Sequence, residues 1–274
     1  MRRHSSRNFT RYGSETRSYG LENPEGDGTS KWGRRGHITY VISAILLLIG
    51  APLVYLAYLG NPQLFHWGSH AIVQPEDAQP GTALSLLADI PVKGRAPKTG
   101  YARENFGTPW ADEDRNGCDT RNDILRRDLK NVTTKPGTRD CVVTSGTLQS
   151  PYTNETINFK RGPKTSTKVQ IDHVVALSDA WQKGAQQLDP VLRQKFANDP
   201  MNLLAVDGPS NQQKGDGDAA TWLPKNKAFR CQYVARQIGV KHNYHLWVTK
   251  AEREAMVKVL SACPTQKVPG RSAI

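Results

Sequence analysis

The 274 residues predict an α+β globular domain set behind one membrane-spanning segment. Three observations carry this reading. An uncharged apolar run at 38–59 separates a polar N-terminal region from the rest. Beyond it, stretches at 141–143, 156–160, 169–177 and 202–206 have strand composition, the longer ones rich in β-branched residues. Segments with helical spacing and recognisable start signals lie between and after them.

Residues 1–37 are polar, rich in Arg, Ser and Gly and without apolar periodicity, so they read as a disordered cytoplasmic segment. The next twenty-two residues, ITYVISAILLLIGAPLVYLAYL, contain no charge. At about 1.5 Å rise per residue, such a helix reaches across a hydrocarbon core of about 30 Å. A core helix of this length would show a polar face, and this one has none. Lys31, Arg34 and Arg35 precede the run, and the next cation is Lys93. The positive-inside bias therefore leaves the N-terminus cytoplasmic and the C-terminal part outside. The run ends in Ala57-Tyr58-Leu59-Gly60, without an A-x-A-like cleavage site. That favours an anchor and a single-pass cell-membrane protein over a removed signal and a secreted one.

Residues 60–82, with Pro62, Pro75 and Pro80, read as a linker. One globular domain is expected over 83–264 and a flexible tail over 265–274. Within the domain, ALSLLADI from Ala83 is a short amphipathic segment. GCDTRNDILRRDL spaces Ile124, Leu125 and Leu129 helically, with Asp119 or Thr120 as N-cap. Residues 178–196 read as a helix broken at Asp189-Pro190. Gly208-Pro209-Ser210 opens a short helix carrying Asn211 and Lys214. Thr249 and Glu252 form a capping box for a last helix to about Ala262.

Lys and Arg outnumber Asp and Glu by 37 to 25, a net charge of +12. Such an excess favours polyanionic partners, although a generally basic, solvated surface has the same composition. Cys118, Cys141, Cys231 and Cys263 show no C-x-x-C spacing, which argues against a zinc knuckle. In an exported domain four cysteines read as two disulfides, with three pairings open. The sequential pairing, Cys118–Cys141 and Cys231–Cys263, closes two local loops and is preferred; free buried thiols are the alternative.

Hydrolysis of a phosphodiester needs a base for water, a divalent cation on the phosphate, and a rigid frame for both. Asp172-His173 sets a candidate ligand beside a candidate base. Neighbours on a regular strand face opposite ways, so a pair acting together implies a strand end or a twist. NLLAV from Asn202 and SNQQK from Ser210 continue as a strand followed by a helix.

This order (D-H, then N, then N nine residues on and K three after that) resembles the HNH, or ββα-metal (His-Me finger), nuclease motif. It is the variant whose last His is replaced by Asn. The resemblance implies His173 as general base, with Asp172 and Asn211 as metal ligands. Asn202 would tie down the loop between the strands, and Lys214 would meet a phosphate. The 29-residue interval from His173 to Asn202 is longer than in compact versions, the excess lying in SDAWQKGAQQLDPVLRQKFANDP. From about Leu84 to Cys263, the phrases NGCDTRNDILRRDL, VQIDHVVALSDAWQKGA, FANDPMNLLAVDG and NQQKGDGDAATWLP widen the likeness. They are similar to exported HNH-family proteins of actinobacteria, related to the DUF1524 domain at the C-terminus of GmrSD-type restriction enzymes.

A carboxylate and an amide oxygen, with no thiolate and His173 kept as base, make a hard-oxygen site for Mg²⁺, with Mn²⁺ the alternative. The expected reaction is metal-dependent endonuclease cleavage of nucleic acid, DNA before RNA, with little sequence preference and strong salt dependence. The rate is expected to rise through an imidazole pKa of about 6.5. Arg121 is a phosphate clamp or a helix-start ion pair. Trp181 and Trp222 are base-stacking or core aromatics. Asp216 and Asp218 order the short helix or touch a metal-bound water, with a solvated turn preferred for Asp218, while His242 and His245 read as structural or surface residues. Two rival readings are a non-catalytic surface nucleic-acid-binding protein, for example in DNA uptake, and a basic cell-envelope structural protein. Neither has a use for a base beside a metal ligand.

Overall fold

The computed structural model describes residues 72–270, together with the single positions 48 and 55. The predicted disordered segment, the predicted membrane segment at 38–59 and most of the linker lie outside the described residues. Met1–Gly68 and Ser69–Ile274 form separate units, and the fold below is that of the second. Among the described residues no helix is long and apolar enough to cross a membrane.

The helices are α1 (Ala83–Ala88), α2 (Thr120–Asp128), α3 (Leu177–Trp181), α4 (Pro190–Asn198), α5 (Gly208–Lys214), α6 (Arg230–Asn243) and α7 (Lys250–Leu260). The strands are β1 (Leu129–Thr134), β2 (Val143–Gln149), β3 (Thr156–Lys160), β4 (Val169–His173) and β5 (Leu203–Asp207). Strands β1–β2–β3 make one antiparallel sheet. β4 and β5 make another, in register from Val169 opposite Asp207 to His173 opposite Leu203. The mixed helix-and-sheet class agrees with the expectation.

The β4–β5 pair lies between two cores. Every residue of β5 is buried. Its alternation sends Leu203 and Ala205 to a cluster with Ile124, Leu125, Val169 and Ile171. Leu204 and Val206 go to the other side, with Leu84, Tyr152, Tyr233 and Val234. A strand covered on both faces reads as a continuous apolar run, which is why LLAV shows no polar alternation. A third cluster gathers Phe106, Val175, Trp181 and Phe196 around α3 and α4. Burial of each such side chain is worth about 1.5–3 kcal/mol.

Several expectations change in detail. The strand predicted to reach Leu177 ends at His173, because the Val175 N–H is taken by the Asn202 side chain (2.8 Å) and not by a strand partner. Val174 and Val175 are core residues without being strand residues. The helix predicted over 178–196 is α3, a 3-10 turn at Ala185–Gln187, and α4. Gly184 breaks it with φ 120, where a Cβ would lie 3.1 Å from the Trp247 ring. Asp189 then caps α4 through Leu192 N.

Helix α6 was not predicted. Its buried face includes Gln237 and Lys241, which hide the apolar stripe, and Phe229 gives no side-chain cap. β1 was also not predicted; its register slips between Lys130 and Thr133. The inner ends of the predicted linker and tail are held on the domain. Val73, Ala78 and Val268 pack on the core, and Ala83 N donates to Gln266 O (2.8 Å). Both disulfides are present, as Cys118–Cys141 and Cys231–Cys263.

Candidate active site

The strand pair and α5 form a continuous strand–strand–helix unit. Asp207 ends β5 and caps α5, accepting from Ser210 N (2.8 Å) while Ser150 Oγ donates to its other oxygen (2.8 Å). Gly208 lets α5 start hard against the turn before β4, since a Cβ there would fall 2.3 Å from Thr167 O. This seating brings Asn211 beside β4, where its Nδ2 donates to Gln170 Oε1 (2.8 Å).

His173, the last residue of β4, is buried. Its Nε2 lies 2.9 Å from the Ala197 carbonyl oxygen. A carbonyl only accepts, so Nε2 carries the proton and Nδ1 keeps its lone pair. Burial pushes the imidazole pKa down to about 3, and the Arg103 and Lys214 charges act the same way against the Ala197 hydrogen bond. The ring is thus neutral across the ordinary pH range, and the rise predicted near 6.5 for an unperturbed imidazole does not apply. Trp110 stacks on it with centroids 6.2 Å apart and planes 20° apart.

Asp172 is buried beside it. Lys214 Nζ donates to its Oδ1 (2.9 Å) and the Tyr152 hydroxyl to its Oδ2. Burial raises its pKa, while Lys214 and Tyr152 oppose the rise. Lys214 also donates to the His173 carbonyl (2.7 Å), and its side chain is fully enclosed. In this arrangement its ammonium holds Asp172 and the end of β4; the predicted phosphate contact would need it to leave both partners. Asn202 is fully buried. Its Oδ1 accepts from Val175 N (2.8 Å), and its Nδ2 donates to Val175 O and Phe196 O (both 3.3 Å). It therefore couples the chain leaving β4 to the end of α4, whose Ala197 carbonyl orients His173.

Gln170, Asp172, His173 and Asn211 line one groove of about 620 Å³, with Lys98, Tyr101, Arg103, Trp110 and Arg121 around it. Arg121 stands in the first turn of α2, with Val169 O as a distant acceptor (3.5 Å). Burial lowers its pKa and so does neighbouring Arg161, with Asp119 opposing. Trp181 is buried against Tyr101 and Phe106, and Trp222 packs on Tyr152 and Tyr233. Asp216 accepts from Ser178 and pairs with Lys98 on the rim, while Asp218, expected in a solvated turn, is buried because Lys183 and Arg95 pair with it in the interior. His242 and His245 stand apart from the groove. Among the described residues no three His, Cys, Asp or Glu side chains converge as a metal site.

Six groove or support residues escaped the sequence reading: Lys98, Tyr101, Arg103, Trp110, Tyr152 and Gln170. Only Gln170 had a local signal, since it lies two residues before Asp172 on a strand and so shares its face.

The family described as GmrSD restriction endonucleases, C-terminal domain, matches residues 119–259, just over half of the chain. The chain belongs to that family. A relative from Arthroderma benhamiae, named only as an uncharacterized secreted protein, is 38% identical over 191 residues. The alignment covers 69% of this chain and 88% of the relative. No solved structure matches. The part of this GmrSD-type domain inside the family match holds Arg121, Tyr152, Asp172, His173, Asn202, Asn211 and Lys214; Arg103 and Trp110 precede it.

Proposed function

We propose that this GmrSD-type domain is a divalent-metal-dependent endonuclease of the HNH (ββα-metal) kind, acting on nucleic acid after export. One observation carries the reading: a neutral histidine, its Nε2 fixed on Ala197 O, stands in a cationic groove beside a buried carboxylate. In the proposed reaction His173 Nδ1 takes a proton from water as the water oxygen bonds to phosphorus. The bond from phosphorus to the 3′ oxygen breaks, and the leaving oxygen acquires a proton from solvent. His173 then returns its proton to solvent.

The donor set suits a hard divalent ion. Gln170 engages the amide nitrogen of Asn211, and among the described residues no donor reaches Asn211 Oδ1. Each Asp172 oxygen accepts one side-chain hydrogen bond, and the carboxylate has about four lone-pair sites in all. Asp172 and Asn211 would hold Mg²⁺ or Mn²⁺ together with waters and phosphate oxygens. Such an ion supplies charge stabilisation at the phosphate and leaving oxygen. Lys214 and Tyr152 keep Asp172 in place, Asn202 keeps His173 in place, and Arg121 meets substrate phosphate.

The two disulfides support a site of action outside the reducing cytosol, and the secreted relative favours release over an anchored form. The test is nicking of supercoiled DNA by the purified chain with Mg²⁺, with chelator, and after His173→Ala. Chelator and substitution are each expected to abolish nicking. Equal cleavage by wild type and His173→Ala overturns the mechanism, and absence of any chelator-sensitive cleavage returns the binding-only and envelope-structural readings.

A further inference from the structure

Trp110 and Arg121 stand at the two ends of one pinned loop, and both reach the groove. Thr120 N donates to Trp110 O (3.3 Å), and Thr120 Oγ1 donates to Ala111 O. Asp112 accepts from Asn116 N (3.0 Å) and Gly117 N (2.9 Å), and the Cys118–Cys141 disulfide fastens the loop near β2. Trp110 itself has φ 58, a left-handed conformation that is costly for an aromatic residue. Strain of this kind persists only where the surroundings impose it, and it gathers at functional sites. Here it lays a partly exposed indole beside His173.

The arginines that share the groove with the indole are held in no close salt bridge. Among the described residues neither Arg103 nor Arg121 forms an ion pair, whereas Lys98 across the groove is paired with Asp216. Arg103 is exposed, and Arg121 is part-buried next to the like charge of Arg161. Guanidinium groups free of close salt bridges, in one groove with an aromatic ring, match a strand in which phosphates alternate with flat bases. A duplex keeps its bases stacked on one another and offers none to an indole face.

We propose that the groove binds a single nucleic-acid strand, with Arg103 and Arg121 on flanking backbone phosphates and the exposed part of Trp110 stacked on an unpaired base. This rests on the nuclease reading and specifies its substrate. Scission then falls on unpaired segments, next to the base held by Trp110.

The test separates binding from cleavage. In chelator, fluorescence anisotropy reads the affinity of the full chain for labelled oligothymidylate and for a duplex of equal length. The strand is expected to bind more tightly. Trp110→Ala is expected to weaken strand binding by about tenfold and leave duplex binding unchanged. Trp110→Phe, which keeps a ring, retains most of the affinity and controls for folding. Arg103→Ala and Arg121→Ala each lower the salt slope by about one. Duplex binding equal to or tighter than strand binding overturns the proposal, and so does a Trp110→Ala loss shared equally by both. Cleavage of the same oligonucleotides with Mg²⁺ keeps the two readings apart. Cleavage without strand preference sinks the single-strand assignment alone; strand-selective binding without cleavage sinks the nuclease reading alone.

Discussion

Asn202 satisfies three backbone groups at once, and two of them belong to Val175, just past the end of β4. Removing its amide leaves a buried N–H and two buried carbonyls without that partner, each a desolvation cost of about 1–3 kcal/mol. Asn202→Ala is therefore expected to lower stability by about 2–4 kcal/mol in urea unfolding. Activity at a temperature where the variant remains folded should also fall, because Phe196 and Ala197 lose their tether and His173 its orientation. Tyr152→Phe makes the complementary test. It keeps the ring packed on Trp222 and Tyr233 but removes the hydroxyl from Asp172. A lower kcat with no loss of folding is expected, and an unchanged kcat would show that Lys214 alone suffices to hold Asp172. The legibility of these residues follows their sequence distance. Asp172 and His173 stand out because they are adjacent, whereas Asn211 and Lys214 stand out through the N-x-x-K of the motif that the chain resembles. Trp110 and Arg103 reach His173 across more than sixty intervening residues, and no periodicity reports a contact of that kind.

At the scale of elements, the strand–strand–helix unit was readable because each piece announces itself locally: β-branched VQIDHVV, apolar LLAV, and Pro209 in the first turn of a helix. What was not readable is how the surrounding elements lock onto it. Helix α6 hides its core face behind Gln237 and Lys241, whose polar ends find partners only in the folded chain. The two disulfides give a contrast that separates stability from substrate binding. Their partners are 23 and 32 residues apart, so loop closure predicts about 3 kcal/mol from each. Cys231–Cys263 joins α6 to the chain beyond α7, away from the groove, whereas Cys118–Cys141 anchors the loop between Trp110 and Arg121. Paired Cys→Ser variants are expected to melt at similarly lowered temperatures. Only the Cys118→Ser/Cys141→Ser variant should also raise KM for nucleic acid. Equal KM values in the two variants would show that the loop holds Arg121 without its disulfide.

Across the whole molecule, six charges meet in the interior. Lys183 and Lys241 are fully buried and Arg95 is partly so; they face Asp179, Asp218 and Glu252. The signs balance, and the contributors come from α3 and the turn after it, α6, α7, and the chain after α1 and after α5. The cluster therefore ties α3, which packs in one hydrophobic cluster, to α7, which packs in another. Lys183→Met is expected to cost about 3–5 kcal/mol, because it leaves three carboxylates short of a cation. Two parts of the pH dependence share one sign, and Asp172, whose pKa burial raises, opposes them. His173 is held at about 3, below its ordinary 6.5, so the unfolded chain binds a proton there before the folded one does. Its contribution to stability is complete above about 6.5 and is lost as pH falls toward about 3. For Asp218, burial alone would raise the carboxyl, but Lys183, Arg95 and Lys241 outweigh it and hold the pKa at about 2, below the ordinary 3.8. That stability is complete above about 4 and is lost as pH falls toward about 2. Thermal melts in chelator across this range test both. The wild-type melting temperature should begin to fall below about pH 6.5, His173→Ala should stay level down to about pH 4, and Asp218→Asn should lose only the lower step. A wild-type curve that is level down to about pH 4 would mean that His173 titrates alike in the folded and unfolded chain, and would overturn the depressed pKa that burial gives it.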